Sequence, residues 1–428
     1  MYTIPGKMRP TVMLRFSLLA LGALTGFAQS TPGPDTSANA QLKGTYYFRQ
    51  LITSTFDSGG NVTGVASLSG TMVFDGKGGY AATGQKTDSN VSSGASQPLS
   101  VQGTYGVGSN GLAYLDNPYT PTTAANQVYG SLAQGGVLIG SSTEGLIDDI
   151  FIAIPAPTTA PTVATFNGSY WIGALDFFGA SESTLKNAQF RMSPDGRGGL
   201  GNLTIAGQAA NQTSTNLSQT ITGATYSVAS DGTATLTLPL PSSLTARNAL
   251  FAGTRTMYVS ADGNYLLGGT PGGYDMFVGI KTLVSGSNSN FSGLYVTGAL
   301  EDDVTNAGVD SFYGSLNSDG AGNQISHERL TGVSFSTPLD FGTDNSTTIG
   351  SDGTGTDSFG NKIFLGAGGN AYLLTGASQF HTLTLGVKAQ SFTGTGVFLN
   401  PVGITNAASY SPVTASISPG ELLTLYGS

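Results

Sequence analysis

Few side chains in this sequence could do chemistry. Its 428 residues include two histidines, His327 and His381, and no cysteine. Neither histidine has a His or Cys neighbour at ligand spacing, so a zinc site is not expected. Residues 1–326 contain no His at all, so no serine elbow in that stretch has a His partner. Carboxylates remain. Glu144, Asp148 and Asp149 cluster, as do Glu301, Asp302 and Asp303, with Asp176 and Glu182 as a sparser set. Paired carboxylates could cleave a glycosidic bond, but these sets do not recur at matching places, and solvated loops are the simpler account. The Asp-Gly segments could each offer calcium one carboxylate. A calcium loop needs several oxygens, and a hairpin turn explains the same residues. The segment Gly76 to Gly79 lacks the Gly-Lys-Ser/Thr ending of a phosphate loop. No catalytic residue, metal ligand or cofactor is therefore expected. Trp171 and the tyrosines could stack on sugars, although Tyr46, Tyr170 and Tyr295 recur at one strand position and fit a core.

The elements that carry these residues repeat three times. Gly44-Thr45-Tyr46-Tyr47 returns as Gly168-Ser169-Tyr170-Trp171 and as Gly293-Leu294-Tyr295-Val296. The turn Asp75-Gly76 matches Asp195-Gly196 and Asp319-Gly320. Asn110-Gly111, Asp231-Gly232 and Asp352-Gly353 follow, then Gly135-Gly136, Asp262-Gly263 and Gly368-Gly369. Four landmarks in one order mark a tandem repeat. Asn-Gly and Asp-Gly supply the positive φ of tight hairpins, and the flanks alternate as strands do.

The second copy reads as eight strands, near 168–175, 187–193, 199–206, 221–228, 233–240, 253–260, 264–269 and 274–281. Tight turns join strands 2–3, 4–5 and 6–7, while longer polar loops join 1–2, 3–4 and 5–6. The fold class is all-β: three antiparallel meanders that close into small eight-stranded barrels, with a β-sandwich or repeat blades as alternatives. The units fall at 42–155, 166–283 and 291–390. Pro155 to Pro161 forms a stiff linker and Ser285 to Asn290 a flexible one, so the copies are expected to fold separately. The closed meander resembles the lipocalin or avidin type of barrel, and the Gly-x-Tyr opening is similar to the Gly-x-Trp opening of lipocalins.

Residues 1–28 have the form of a secretory leader. Lys7, Arg9 and Arg15 precede the apolar run from Phe16 to Leu24, and Gly26-Phe27-Ala28 is a small-x-small cleavage site. The run is too short to span a bilayer, which takes about 20 residues. Removing the leader takes away three basic and no acidic residues, so the formal charge moves from −9 to −12. An acidic chain with only 10% charged residues is a poor ligand for nucleic acid or anionic membranes. A membrane-spanning barrel would need strands of about 9–11 residues, longer than the runs visible here.

Residues 402–428 include Asn406-Ala407-Ala408-Ser409 and Pro419-Gly420-Glu421, followed by a short strand that ends in Gly427-Ser428. This stretch resembles the opening of an uncharacterised C-terminal module of secreted Solibacter-type acidobacterial proteins. The resemblance implies an exported acidobacterial surface protein and no activity. It implies too that 402–428 is the start of a truncated module. From the residues themselves, Pro419-Gly420 reads as a turn and Glu421 to Tyr426 as a strand lacking its partners.

The expected function is a non-enzymatic secreted or cell-surface protein whose units bind a ligand or act as spacers or adhesion modules. A glycan or a small apolar molecule is the expected ligand. The alternative is a secreted polysaccharide hydrolase using the loop carboxylates. Loops on a rigid scaffold are where binding resides. The site is therefore expected at the long-loop end, with Phe177, Phe178 and Tyr119 as contacts, or as plugs of the barrel mouth.

Overall fold

A computed structural model describes residues 35–91, 94–213, 216–305, 308–378, 380–391, 399–407 and 422–427. The leader at 1–28 and the Pro419-Gly420 turn lie outside the described residues. Three closed eight-stranded barrels follow one another in the chain, each an antiparallel meander. The first is built from β1 (Lys43–Phe56), β2 (Val62–Asp75), β3 (Gly79–Asp88), β4 (Gln97–Val107), β5 (Leu112–Leu115), β6 (Val128–Leu132), β7 (Leu138–Ser141) and β8 (Asp148–Pro155). The second comprises β9 (Tyr170–Phe177), β10 (Leu185–Met192), β11 (Gly199–Ala209), β12 (Leu217–Val228), β13 (Ala234–Leu238), β14 (Gly253–Val259), β15 (Tyr265–Gly269) and β16 (Asp275–Lys281). In the third are β17 (Ser292–Asp303), β18 (Gly308–Asp319), β19 (Asn323–Gly332), β20 (Leu339–Ile349), β21 (Thr354–Asp357), β22 (Lys362–Leu365), β23 (Ala371–Thr375) and β24 (Phe380–Lys388). In each barrel the first strand pairs with the eighth, as in Tyr47↔Ile154, Trp171↔Ile280 and Val296↔Val387. Closure removes the open sheet edges that a sandwich or a blade would keep.

The turn between second and third strands shows why the repeat keeps Asp-Gly there. Gly76, Gly196 and Gly320 all have φ between 73° and 76°, a conformation that costs glycine nothing. The preceding carboxylate closes the turn. Asp195 Oδ1 accepts the backbone N–H of Arg197 at 2.7 Å and of Gly199 at 2.9 Å, and Asp75 and Asp319 do the same in their turns. Hydrogen bonds hold all three carboxyls below the usual carboxylate range, the Asn323 side-chain amide first at Asp319 and the backbone N–H groups at Asp75 and Asp195. Among the described residues, no group of His, Cys, Asp or Glu side chains is placed to hold a metal ion.

Strand alternation sends one set of side chains into each barrel and the other set outward. Tyr46, Phe48 and Ile52 point into the first barrel, and Tyr170, Ile172 and Ala174 into the second. The outward set is not left to solvent. Leu51, Leu175 and Leu300 occupy the equivalent position of the three first strands, and all are fully buried in one cluster. Ile150, Ile152 and Ile154 of β8 join it with Met276, Val278 and Ile280 of β16 and with Leu383, Leu385 and Val387 of β24. Aromatic pairs bridge each contact: Tyr47 on Tyr258 at 4.4 Å, Trp171 on Phe364 at 4.9 Å and Tyr129 on Tyr313 at 6.3 Å.

The copies, expected to be separate folding units, pack on one another through a cluster built from their outer walls. The linkers are pinned as well. Ala261 N–H donates to Pro155 O at 2.9 Å, Gly286 N–H to Ser351 O at 2.9 Å, and Ile349 N–H to Asn288 Oδ1 at 2.7 Å. The segment from Ser285 to Asn290 is therefore fastened to the third barrel rather than flexible.

In the tail, β25 (Leu399–Asn406) pairs antiparallel with β26 (Leu423–Gly427). The last strand, expected to lack partners, has one. No described helix is long and apolar enough to cross a membrane. Several strands are longer than the sequence suggests, 14 residues in β1 and β2.

Candidate functional site

The second barrel carries charges inside its long-loop mouth. On β10, Ala188, Phe190 and Met192 face the interior core, and Lys186 continues that face. On β14, Met257 and Val259 do so, and Arg255 continues theirs. By the same period of two, Asp176 of β9 follows Ala174, and Asp275 of β16 precedes Phe277. All four are buried, with Lys186 and Asp275 only 2% exposed.

Arg255 ties the group together. Its Nη2 lies 3.8 Å from Asp176 Oδ2 and its Nε 3.6 Å from Asp275 Oδ2. These are ion pairs beyond hydrogen-bond length, and Arg255 Nη1 donates to Thr270 Oγ1 instead. Asp275 anchors the loop at 270–274, accepting Thr270 N–H at 2.7 Å and Thr270 Oγ1–H at 3.0 Å. A third cation arrives from the first barrel. Arg49 Nε donates to Asp275 O at 2.7 Å, and its Nη2 pairs with Asp275 Oδ1 at 3.2 Å. It passes β15 at Gly269, where a Cβ would lie 2.2 Å from Arg49 Nη2. Burial, with Asp275 close by, pushes the Asp176 carboxyl up to about 6 against the pull of Arg255, Lys186 and Arg49. Burial lowers Lys186 and Arg49.

A cavity of about 340 Å³ opens above these charges, lined by Asp176, Lys186 and Arg255 with Phe178, Leu240, Ala246, Ala249, Ala252 and Tyr274. Such a pocket can hold a small molecule with an apolar body and place a polar group against buried cations. The matching region of the first barrel is filled by its own side chains. Asp149, the counterpart of Asp275, accepts Ser142 N–H at 2.5 Å, Ser141 Oγ–H at 3.0 Å and Gln50 Nε2–H at 2.5 Å. Asn117 donates to Ser142 Oγ at 2.8 Å and accepts Tyr119 N–H at 2.8 Å.

No family model matches the chain. No curated protein matches it either. Three of the solved structures that align with it share little with it. A protein of unknown function from the DUF3598 family of Nostoc punctiforme PCC 73102 is 10% identical, covering 53% of this chain and 98% of that one at a TM-score of 0.17. Transferrin binding protein B of serogroup B Neisseria meningitidis is 11% identical over 82% of this chain and 77% of that one, at 0.19. A putative DNA polymerase III beta subunit of Eubacterium rectale is 8% identical over 83% and 93%, at 0.12. At these scores none of them bears on function.

Of the three expected contacts, the structure brings one to the cavity. Phe178 lines it, with Lys186 Nζ 4.2 Å from its ring centre. Phe177 is corrected: one residue earlier, it points to the other wall and is fully buried in the shared core beside Leu175, Leu185 and Met276. Tyr119 belongs to the first barrel, where its hydroxyl donates to Asp88 at 2.9 Å and Lys86 lies over its ring at 4.2 Å. It plugs that mouth.

The loop carboxylates are also corrected, since most are not solvated. Glu144 pairs with Arg329 of the third barrel at 2.8 Å, and Glu182 accepts Val62 N–H of the first at 2.7 Å. Asp148, Asp149 and Asp302 are buried, and both oxygens of Asp302 lack a hydrogen-bond partner among the described residues. They end strands that face a neighbouring barrel, so what reads as loop becomes interface. His327 and His381 are buried in the third barrel.

Sequence reasoning misses Lys186, Arg255 and Asp275. The signal is there: each sits at even spacing from apolar residues that must face inward, as in Lys186-x-Ala188-x-Phe190-x-Met192.

Proposed function

We propose that this is a non-enzymatic, exported barrel-repeat protein that binds one small, largely apolar ligand in the mouth of its second barrel. One observation carries the proposal: the second barrel keeps an open cavity over buried charges at the position the first barrel fills with its own side chains. The carboxylates there are engaged by arginines and by Thr270, an arrangement that holds charge in place rather than freeing a general base. The interiors of the first two barrels are apolar and aromatic, the reverse of the polar lumen of an outer-membrane barrel. Export rests on the leader at 1–28 and on the resemblance of 402–428. The first and third barrels then act as supports for the second.

A thermal-shift screen of small apolar molecules and glycans on the mature chain tests this. A ligand at 100 times its Kd stabilises by about 2.7 kcal/mol. Hits are expected among the apolar molecules and should be lost in Ala246→Trp, which fills the mouth from an exposed rim position. Hits that survive Ala246→Trp place binding elsewhere. A screen without hits leaves the spacer reading.

A further inference from the structure

We infer that the ligand of the second barrel is an amphipathic monocarboxylate, its carboxylate held by Lys186 and its apolar chain lying between Phe178 and the loop at 239–252. This rests on the mouth of the second barrel being a binding site and adds the chemistry of what enters it.

The first ground is the state of the Lys186 ammonium. It carries three N–H donors. One reaches Ala246 O at 2.9 Å, and its other contact is the face of Phe178. Among the described residues no carboxylate lies within 4 Å of it. Asp176 is paired with Arg255, and Asp275 with Arg49 and Arg255. Asp176 and Asp275 attract it from beyond ion-pair distance, each already paired with arginine. A buried ammonium with one hydrogen bond and no carboxylate in contact is costly, and the cost falls when an anion arrives.

The second ground is the charge of the site as a whole. Three buried cations, Arg49, Lys186 and Arg255, face two carboxylates, Asp176 and Asp275, and the exposed Arg247 of the rim loop adds a further positive charge that acts on Lys186. One buried positive charge is left over, and Lys186 is the cavity-lining cation that no carboxylate contacts among the described residues. Arg255 is already committed to Asp176, Asp275 and Thr270, and Arg49 is sealed in the wall between barrels. A single negative charge on the ligand completes the buried set.

The third ground is the rest of the lining. Leu240, Ala246, Ala249, Ala252, Phe178 and Tyr274 present apolar surface above the charges. Leu240 stays 44% exposed at the rim, an apolar side chain without cover. A volume of about 340 Å³ is small for a binding pocket and suits a short chain rather than a long acyl tail or an oligosaccharide.

The test uses the mature chain and a matched pair of probes, octanoate and octanamide, which share a chain and differ in charge. By calorimetry octanoate should bind at least tenfold more tightly than octanamide. Lys186→Met should abolish that preference and leave octanamide binding in place. Because the two probes are compared on the unaltered protein, the result stands even if the variant folds poorly. Equal affinity for the two probes, a preference that survives Lys186→Met, or binding of neither would overturn the carboxylate. Equal affinities that both vanish in Ala246→Trp would sink the charge argument and keep the mouth as the site. Screening hits indifferent to Ala246→Trp would sink the site itself.

Discussion

Leu175→Ala is the sharpest test of a shared core. Leu175 sits on β9 and points away from its own barrel into the cluster that all three barrels build. It is fully buried. Truncation removes about three methylene equivalents, or roughly 2.4 kcal/mol at 0.8 kcal/mol each. The hole left among rigid strands adds to this, within the 2–5 kcal/mol that Leu→Ala costs in a core. Because the site is common to the barrels, the loss should appear as one cooperative shift of the whole molecule. Urea denaturation followed by circular dichroism reads it, with Val284→Ala as the control. Val284 is 96% exposed, and its truncation should stay within about 0.5 kcal/mol. Three separate transitions, with Leu175→Ala costing less than 0.5 kcal/mol, would show that the barrels fold apart and that the apolar walls contribute nothing.

Other consequences follow from single residues. Arg49→Ala leaves Asp275 buried with one cation fewer and should cost about 3–5 kcal/mol, the usual loss on breaking a buried pair; a loss below 1 kcal/mol in urea titration contradicts the bridge between barrels. Gly196→Val places a β-branched residue at φ +73° and should destabilise by roughly 1 kcal/mol or more by thermal melting, while millimolar calcium should leave the melting temperature unchanged. Burial and the charges of Glu182, Asp303, Glu301 and Asp310 push Asp302 up to about 8, and burial with Glu301 and Asp303 pushes Asp310 up to about 7. Their folded pKa values exceed the unfolded value of about 3.9, so the folded state holds more protons and stability should fall as pH rises from about 4 to about 8. A melting temperature that declines between pH 5 and 9, with a shallower decline in Asp302→Asn, fits this, and one that rises over the range refutes it.

The strands are legible in the sequence because two independent signals agree. Alternation marks their flanks, and Asp-Gly or Asn-Gly marks the turns, so the eight strands read in the second copy lie within a few residues of β9 to β16. What hides is which face meets what. A run such as Ile150-Phe151-Ile152-Ala153-Ile154 is apolar at every position, the mark of a strand buried on both sides. Met276-Phe277-Val278-Gly279-Ile280 repeats it. Those runs announce the shared core, but only to a reader who asks why an eighth strand has no polar face. The site fails on parity. Phe177 and Phe178 are adjacent and look alike, yet a period of two sends one to the core and the other to the cavity. Arg49 could not be placed from sequence, because its partner Asp275 lies 226 residues away in another barrel.

Stoichiometry tests the central claim most directly. Native mass spectrometry and calorimetry of the mature chain with the tightest apolar hit of the screen should give one ligand per chain, reduced at least tenfold in affinity by Ala246→Trp with the unliganded melting temperature unchanged. Three equivalent ligands per chain, or one whose affinity ignores Ala246→Trp, would contradict the assignment of function to the second barrel alone.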